Sequence, residues 1–485
     1  MKAVIYRPLF WMAIIGIAAI AVFSVFPSLF VIFAIIVITV IVILLWTPPF
    51  RAVRAEWLIA VFLLLGILFR AGQSFQTLQM REQVEGKTLS VRLTVVSCLD
   101  DADRLWKAYC VDDCFFRCGV TVKLLDEESS LAVGERISAK ICFSSFQTRD
   151  GFSSLSDDFY GTATLLKTEK RFRSLYLLTL AGKLRAGLTE AIRSTLPPDE
   201  AATLLGLTVG DRSTMPSFLT ESVRRAGIPH LFVVSGQHLM ILIGGLLQLL
   251  QRICHRPLLN YFSVMAAIVL FCAVCGFSDS VMRSGWMFLI ALSAPLFYRE
   301  SDSLNCLGLA VIMMLLLNPL CVFHLSFRLS VLATVGIIVL YPALMDLVRK
   351  HPATLLHKIA AQPVLTLSAM IMTAPVAVGT FGQLSIVAPI TNLFVSFAVG
   401  FTLIFAFIGG LGCMLPGISF LGRPFLSVAG MLAKYLNETA LFFGRIPFAA
   451  VRVPPACAYF LWVLAFAIIL FFARAKKTAE KDIAK

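Results

Sequence analysis

Long apolar runs constrain this chain more than any other feature of its sequence. From Trp11 to Trp46 the residues are almost uninterruptedly apolar, and the run exceeds the ~20 residues that one membrane-spanning helix needs. Pro27 and Ser28 divide it, so we predict two helices packed as a hairpin. A secretory signal peptide is the rival interpretation of the start, but its apolar core is shorter and ends in small residues.

The composition is that of an integral membrane protein. Of 485 residues, 59% are hydrophobic and 14% are charged, and the mean hydropathy is +0.87. One soluble core cannot hide this much apolar surface, so soluble globular, disordered and fibrous classes are excluded. Because the apolar segments are continuous rather than alternating, we predict a polytopic α-helical membrane protein and not a β-barrel. About 10–12 transmembrane helices are expected, the later ones near 57–68, 231–250, 258–275, 284–298, 304–318, 328–346, 362–380, 388–412, 425–443 and 457–473.

One polar segment interrupts the membrane helices. Residues 72–175 carry 14 Lys/Arg and 15 Asp/Glu, and their β-rich runs are separated by clusters of Asp, Glu, Gly and Ser. We therefore predict a single inserted all-β domain of about four to six strands, for which a small barrel is a suitable arrangement. The runs are Thr88–Ser97, Gly119–Leu125, Arg136–Phe146 and Thr162–Lys167.

These features give a domain order. Helical periodicity in Leu175–Leu196 predicts an amphipathic helix at the membrane interface. The chain then divides into N-terminal transmembrane helices in 1–71, the β domain in 72–175, the interfacial helix in 176–200, a transmembrane domain in 201–474 and a basic tail in 475–485.

The formal net charge of +14 admits two explanations, a nucleic-acid partner or basic residues retained in cytoplasmic loops. With the N-terminus in the cytoplasm, Lys and Arg collect in the loops on that side. Both termini are then cytoplasmic and the β domain is extracytoplasmic. Since the β domain is nearly neutral, the surplus belongs to the membrane part and is largely a topology signal.

Polar residues cluster between Gly206 and His238. The cluster contains Gly-Asp-Arg-Ser from Gly210 and Ser-Gly-Gln-His from Ser235. Such breaks in apolar sequence predict interrupted or re-entrant helices, which survive only where they are buried in protein or line an aqueous path. Two alternatives stay open: Asp211 and its neighbour Arg212 as a structural ion pair, and His238 as a hydrogen-bonded packing residue.

Two other places carry unusual ionisable residues. Asp279 and Arg283 stand at the entry to a predicted span, either as an interfacial anchor or as part of a path. His324 and Arg328 stand where the next helix begins. Arg328 either snorkels to the interface or lines a pore, where its planar guanidinium would attract phosphate.

The cysteines and the missing motifs narrow the chemistry. The β domain has no His, so on the oxidising side of a membrane disulfides are favoured over zinc, with the pairing left open. The sequence contains no Walker loop, zinc-enzyme signature or nucleophile elbow. We therefore predict no catalytic residue, no metal and no cofactor. The β-domain cysteines are Cys98, Cys110, Cys114, Cys118 and Cys142.

At this point the motifs resemble those of a known family, the ComEC competence proteins. These are inner-membrane channels that admit single-stranded DNA during natural transformation. The likeness covers about Ala201 to Phe443 and includes a Gly-Asp-Arg-Ser element and a later Gly-x-x-His-Leu…Ser-Gly-x-His element. The matching pieces are Gly210–Ser213, Gly227–His238, Met282-Arg283, Asn318-Pro319, Phe327–Gly336 and Ala388–Asn392.

The resemblance implies a single-stranded DNA path between helices, surrounded by membrane lipid, and an OB-like β domain that meets incoming DNA. It also implies an extracellular DNA receptor or pilus and a cytoplasmic helicase-like motor as partners, and leaves a homodimer open. The path residues would be Gly210, Asp211, Arg212, His230, Ser235, Gly236, His238, Arg283 and Arg328. The β-domain contacts would be Arg104, Trp106, Lys107, Tyr109, Phe115, Phe116 and Arg117, unless these residues form a hydrophobic core with a charged rim.

The chain departs from the family pattern in three ways. Family members often carry a metallo-β-lactamase-like domain with an HxHxDH run, which does not occur here, so nuclease activity is not expected. The family often has Asp and Gln where His324 and Arg328 stand, and an apolar residue in place of Gln237. A secondary transporter or flippase for an anionic or lipid-linked solute is the alternative function, because broken helices with Asp and Arg also suit transport.

Overall fold

A computed structural model gives the architecture of the chain. It describes residues 8–25, 63–64, 66–68, 71–72, 88–100, 105–111, 117–124, 133–145, 159–172, 176–232, 234–297, 301–349, 354–415, 417 and 419–483. The second half of the predicted N-terminal hairpin and most of the predicted span near 57–68 lie outside these residues.

The helices are named in chain order. They are α1 Pro8–Val25, α2 Tyr176–Thr195, α3 Pro198–Thr208, α4 Ser217–Arg225, α5 Gly236–Ile253, α6 Pro257–Val274, α7 Asp279–Ser293, α8 Ser303–Leu317, α9 Leu325–Arg349, α10 Thr354–Phe381, α11 Ala388–Met414, α12 Gly422–Arg445 and α13 Cys457–Ile483. Short 3₁₀ turns occupy Ala294–Phe297, Pro319–Phe323 and Ser419–Leu421.

The strands form one barrel and one small ribbon. They are β1 Thr88–Asp100, β2 Leu105–Val111, β3 Arg117–Leu124, β4 Arg136–Ser145 and β5 Phe159–Phe172, followed by β6 Gln383–Ser385 and β7 Ala450–Arg452. The first five close a barrel in the order β1-β2-β3-β5-β4, in which β3 and β5 run parallel. Alternate residues of β1 and β4, such as Leu93 and Ile137, are buried inside it. The predicted β-strand region is present, although the sequence missed β2, a short strand with Lys107 near its centre.

The register of the barrel bears on the open cysteine pairing. Cys110 of β2 lies directly opposite Cys118 of β3. Opposed residues of an antiparallel pair have Cα atoms ~4.5–5.5 Å apart, which a disulfide can span. Cys142 is free, and Cys114 is outside the described residues. The backbone register places these two positions opposite each other, and the disulfide pairing stays a prediction.

The helices agree with a membrane protein. Four described helical segments are long and apolar enough to cross a bilayer. Shorter apolar helices occur in Leu9–Ala21, Ser303–Leu317 and Cys457–Ile469. The described residues thus establish several spans but do not test the full count of about 10–12. The four segments are Pro257–Val274, Leu325–Val348, Ile359–Phe381 and Ala388–Met414.

The chain folds as two compact units, each described by itself. The barrel unit comprises Lys2–Lys183 and Tyr261–Phe327, and the hairpin unit comprises Met1, Leu184–Asn260 and Arg328–Lys485. In the barrel unit, α1 packs on α8, and α8 packs on α7. The hairpin unit is built around the antiparallel pair α11 and α12, against which α3 and α4 pack.

Glycine permits the closest helix contact of the barrel unit. A Cβ added at Gly308 of α8 would lie 2.5 Å from the backbone nitrogen of Phe10 in α1. Because the obstacle is backbone, no side-chain rotation can relieve it. By contrast, a Cβ at Gly244 of α5 would meet nothing within 4 Å.

We expect Gly308→Ala to destabilise the protein by about 1–3 kcal/mol, since α1 would have to move away from α8. The matched change Gly244→Ala should be neutral or stabilise by about 0.5–1 kcal/mol, because alanine restricts the unfolded chain more than glycine. Apparent Tm of the full chain in detergent measures both. Equal shifts in the two variants would show that the α1–α8 contact is not formed.

Candidate functional site

The helix α3 ends inside the protein. All eight residues from Ala201 to Thr208 are buried, so the last two turns of the helix are enclosed on every side. The chain then turns at Gly210, whose φ of 75° lies in the left-handed region that favours glycine. The Gly-Asp-Arg-Ser element therefore follows a buried helix end, and an interrupted membrane helix at this place stays a prediction.

The two motif elements are packed against each other. A Cβ added at Gly206 would lie 2.9 Å from the carbonyl oxygen of Phe232, and one added at Gly210 would lie 3.5 Å from Cγ2 of Val234. The segment that leads into α5 therefore lies on the glycine side of α3. The predicted span 231–250 begins later than expected, because α5 starts at Gly236.

Asp211 is held by neighbours other than Arg212. One of its carboxylate oxygens accepts hydrogen bonds from the backbone N–H of Ser213 at 3.0 Å and from the Ser213 hydroxyl at 2.7 Å. Its other oxygen lies 3.8 Å from the guanidinium of Arg193 in α2. Arg212 is exposed, and no partner of its guanidinium occurs among the described residues. The predicted ion pair between Asp211 and Arg212 is wrong, because the cation near Asp211 is Arg193.

His238 caps the helix α5. The backbone N–H of Ser235 donates to Nδ1 of His238 at 3.3 Å, so the neutral imidazole carries its proton on Nε2. His238 is fully buried. Neither its Nε2 nor the hydroxyl of Ser235 has a hydrogen-bond partner within the described part of the chain. The helix start thus combines a structural cap with two buried polar atoms that remain unpaired.

Gly227 closes the turn between α4 and α5. Its φ is 77°, and an added Cβ would collide with the Cβ of Ala388 and approach the Ser385 hydroxyl oxygen at 2.7 Å. The Ser385 hydroxyl itself lies 2.8 Å from the carbonyl oxygen of Arg225 and 3.2 Å from that of Ala449. Glycine is required here both for its conformation and for the space it leaves.

The barrel unit brings together two places that the sequence treats separately. Oδ2 of Asp279, at the start of α7, lies 2.9 Å from Nδ1 of His324 and accepts a hydrogen bond from the Ser326 hydroxyl at 3.0 Å. One turn along α7, Arg283 is buried and donates to the Ser284 hydroxyl at 3.1 Å. Burial contradicts the interfacial-anchor interpretation of Arg283. Local periodicity could not reveal the Asp279–His324 contact, because it joins residues far apart in the chain.

The remaining predicted residues fall in different surroundings. His230 and Arg328 are exposed. Trp106 is half-buried, next but one to fully buried Ala108 and opposite fully buried Val122, which supports the core interpretation for this residue. Arg104, Phe115 and Phe116 lie outside the described residues, and Lys107, Tyr109 and Arg117 are placed on strands only by their backbone.

Sequence reasoning missed Lys434 and Glu438 in α12. Both are exposed in the middle of a helix that the sequence predicts to span the membrane. The signal that could have found them is the cost of any ionisable side chain at membrane depth.

Comparison with known proteins decides the family. The family model described as "Competence protein" matches residues 207–477, more than half of the chain. The chain belongs to the competence protein family. With several apolar helices long enough to cross a bilayer, this competence protein is a multi-pass membrane protein.

Two curated relatives of the competence protein are informative. The chain is 25% identical over 301 residues to "ComE operon protein 3" of Bacillus subtilis (strain 168), an alignment that covers 62% of this chain and 38% of the relative. It is 29% identical over 120 residues to "Uncharacterized protein MG316 homolog" of Mycoplasma pneumoniae (strain ATCC 29342 / M129 / Subtype 1), covering 25% of this chain and 31% of the relative. The matches thus span about a third of the relatives' own length. No solved structure matches.

The cap of α5 predicts how the competence protein responds to changes at His238. Because Gln at this helix position can also accept from the N-cap backbone, His238→Gln should keep the cap. His238→Ala removes the acceptor and should lower the free energy of unfolding by about 1 kcal/mol. Apparent Tm in detergent compares them, and a Gln variant as unstable as the Ala variant would refute the capping role.

Two glycines with positive φ allow the energetic cost of backbone strain to be measured apart from the cost of a steric collision. Gly417 has a φ of 84° with nothing within 4 Å of an added Cβ, so Gly417→Ala should cost only the ~1–2 kcal/mol of a left-handed alanine. Gly227→Ala adds the collision with Ala388 and should cost a further ~1–3 kcal/mol. Similar losses of Tm in both variants would contradict this packing.

Proposed function

We propose that this competence protein passes single-stranded DNA across the cytoplasmic membrane during natural transformation. The observation that carries the proposal is the break after α3, where Gly210 packs against Val234 ahead of α5, within residues 207–477 that match the family. Interrupted backbone at membrane depth is tolerated where it is buried or lines an aqueous cavity. Membership of the competence family indicates DNA as the solute, and the break after α3 provides a place where a polar strand could pass.

Arg212 is the proposed phosphate contact at this break. Its guanidinium is exposed, while the neighbouring carboxylate of Asp211 is taken up by Ser213 and Arg193. A planar guanidinium can donate two parallel hydrogen bonds to one phosphate, and these are stronger than bonds between neutral groups. Asp211 and His238 would then hold the break in shape rather than contact the strand.

We further propose that the barrel is OB-like and lies on the extracytoplasmic side, where it meets DNA first. Its five strands in the order β1-β2-β3-β5-β4 support the first part, and the loop charges support the second. An OB barrel binds strands by stacking bases on aromatic residues beside a basic groove. The sequence-derived contacts around β2 and β3 remain candidates for this surface, except that Trp106 is assigned to the core.

Other proteins would supply the driving force. We propose a DNA receptor or pilus outside and a helicase-like motor in the cytoplasm, because the chain needs only to guide the strand. No catalytic residue is assigned, and the proposed passage requires no bond to be made or broken by this chain.

Deletion of the gene tests the function directly, with entry of labelled DNA into the cytoplasm as the measurement. We expect entry to be lost and to return with the wild-type gene. Unchanged DNA entry, together with a loss of small-anion or lipid-linked solute transport, would refute the proposal and favour the transporter alternative.

Arg212→Ala should lower DNA entry about tenfold at equal protein level, as expected for one lost charge-assisted contact. Arg212→Lys should retain part of the activity, because it keeps the charge but not the planar fork. Arg252→Ala is the matched control, since Arg252 is also exposed but lies at the far end of α5. If DNA entry is equal in the Arg212→Ala and control strains, Arg212 does not contact the DNA.

A further inference from the structure

The helix α12 has two different faces. Its buried face consists of small and apolar residues and Asn437. An exposed sector beside it, here called the α12 polar stripe, carries three basic residues and one acidic residue, whereas the exposed residues directly opposite the buried face, Val428, Tyr435 and Phe442, are apolar or aromatic. At 100° per residue the members fall within a sector of about 80°. The stripe consists of Arg423, Ser427, Met431, Lys434, Glu438 and Arg445.

The contacts between α12 and α11 fix the alignment of this stripe along α11. The rings of Phe405 and Phe425 are 6.2 Å apart near one end of the pair, and those of Phe394 and Phe443 are 5.7 Å apart near the other. The segment α11 is one of those able to cross a bilayer, and α12 lies antiparallel beside it. Lys434 lies midway between Phe425 and Phe443, about 13 Å along the helix from each.

No ion pair or hydrogen bond of Lys434 or Glu438 occurs among the described residues, although the two lie one turn apart. The neighbouring helix α11 differs from the stripe. Its exposed side chains Phe397, Phe401, Ile404 and Ile408 are all apolar, as expected for a surface that faces lipid. Ionisable side chains within a membrane almost always face protein or water, since exposure to lipid is costly.

We propose that the α12 polar stripe is a wall of the aqueous path and contacts the phosphate backbone of the single-stranded DNA. The inference rests on the proposed function and adds the helix that lines the path. The stripe has more positive than negative charge, as a polyanion requires. From Arg423 to Arg445 it extends about 33 Å, close to the ~30 Å thickness of the hydrocarbon core. A second copy is a poorer occupant, because a two-fold axis along the membrane normal would bring like charges together.

Cysteine accessibility tests the wall directly. Lys434→Cys and Glu438→Cys in the full chain should react with a membrane-impermeant thiol reagent about tenfold faster than Phe397→Cys, since the thiolate forms in water and not in lipid. The parent chain gives the background from its native cysteines. Added single-stranded DNA should slow the reaction at both stripe positions and leave the background unchanged.

Three results would overturn the assignment. Stripe positions that react as slowly as Phe397→Cys would face lipid. Oxidant-induced dimers of Lys434→Cys, with the reagent excluded, would assign the stripe to an interface between copies. In a chain that imports DNA, stripe cysteines that react fast and are not protected by added DNA would face water outside the DNA path.

DNA import separates this inference from the proposed function. Failure of the parent chain to import DNA would refute the function, whereas the reaction rates test the water-facing stripe on their own. In a parent that imports DNA, Lys434→Gln should lower entry about tenfold, Lys434→Arg should retain it, and Val428→Gln should leave it unchanged. Val428 is an exposed α12 residue off the stripe. Equal losses in Lys434→Gln and Val428→Gln would overturn the assignment.

Discussion

The carbonyl oxygen of Phe232 lies where a side chain at position 206 would otherwise stand. This single backbone-to-glycine approach lets the segment before α5 lie against α3, and it places both motif elements in one polar region. The turn at Gly210, the cap at Ser235 and the exposed Arg212 all lie close to this contact in the sequence. A bulkier residue at this point would separate α3 from the start of α5.

The net charge that this region presents to a ligand depends on which ionisable side chains already have a partner of opposite charge. The pairing of Asp211 with Arg193 and Ser213 leaves a neighbouring cation without a carboxylate. In the barrel unit the opposite holds, because Asp279 is shared between His324 and Ser326. One polar cluster is therefore suited to attract an anion, and the other is suited to hold two chain segments together.

Hydropathy and periodicity predict the elements well because both are local properties. The expected span 388–412 corresponds to α11 at Ala388–Met414, and the span 258–275 to α6 at Pro257–Val274. The same reasoning could not predict contacts between distant segments, such as Asp279 with His324. It also overlooked the α12 polar stripe, because charges spaced along one helix face are diluted by the apolar residues between them. The motifs pointed to the break, but only the packing showed that Asp211 turns to Arg193.

The hydroxyl of Ser385 joins two carbonyl oxygens that are far apart in the sequence of the hairpin unit. One belongs to Arg225 at the end of α4 and the other to Ala449 just before β7, while Ser385 itself belongs to β6. A hydroxyl has one proton, so the two acceptors share a single donor. The α4–α5 turn and the β6–β7 ribbon are therefore mechanically coupled. If the turn at Gly227 moved the carbonyl of Arg225 away, the Ser385 hydroxyl could donate fully to the carbonyl of Ala449.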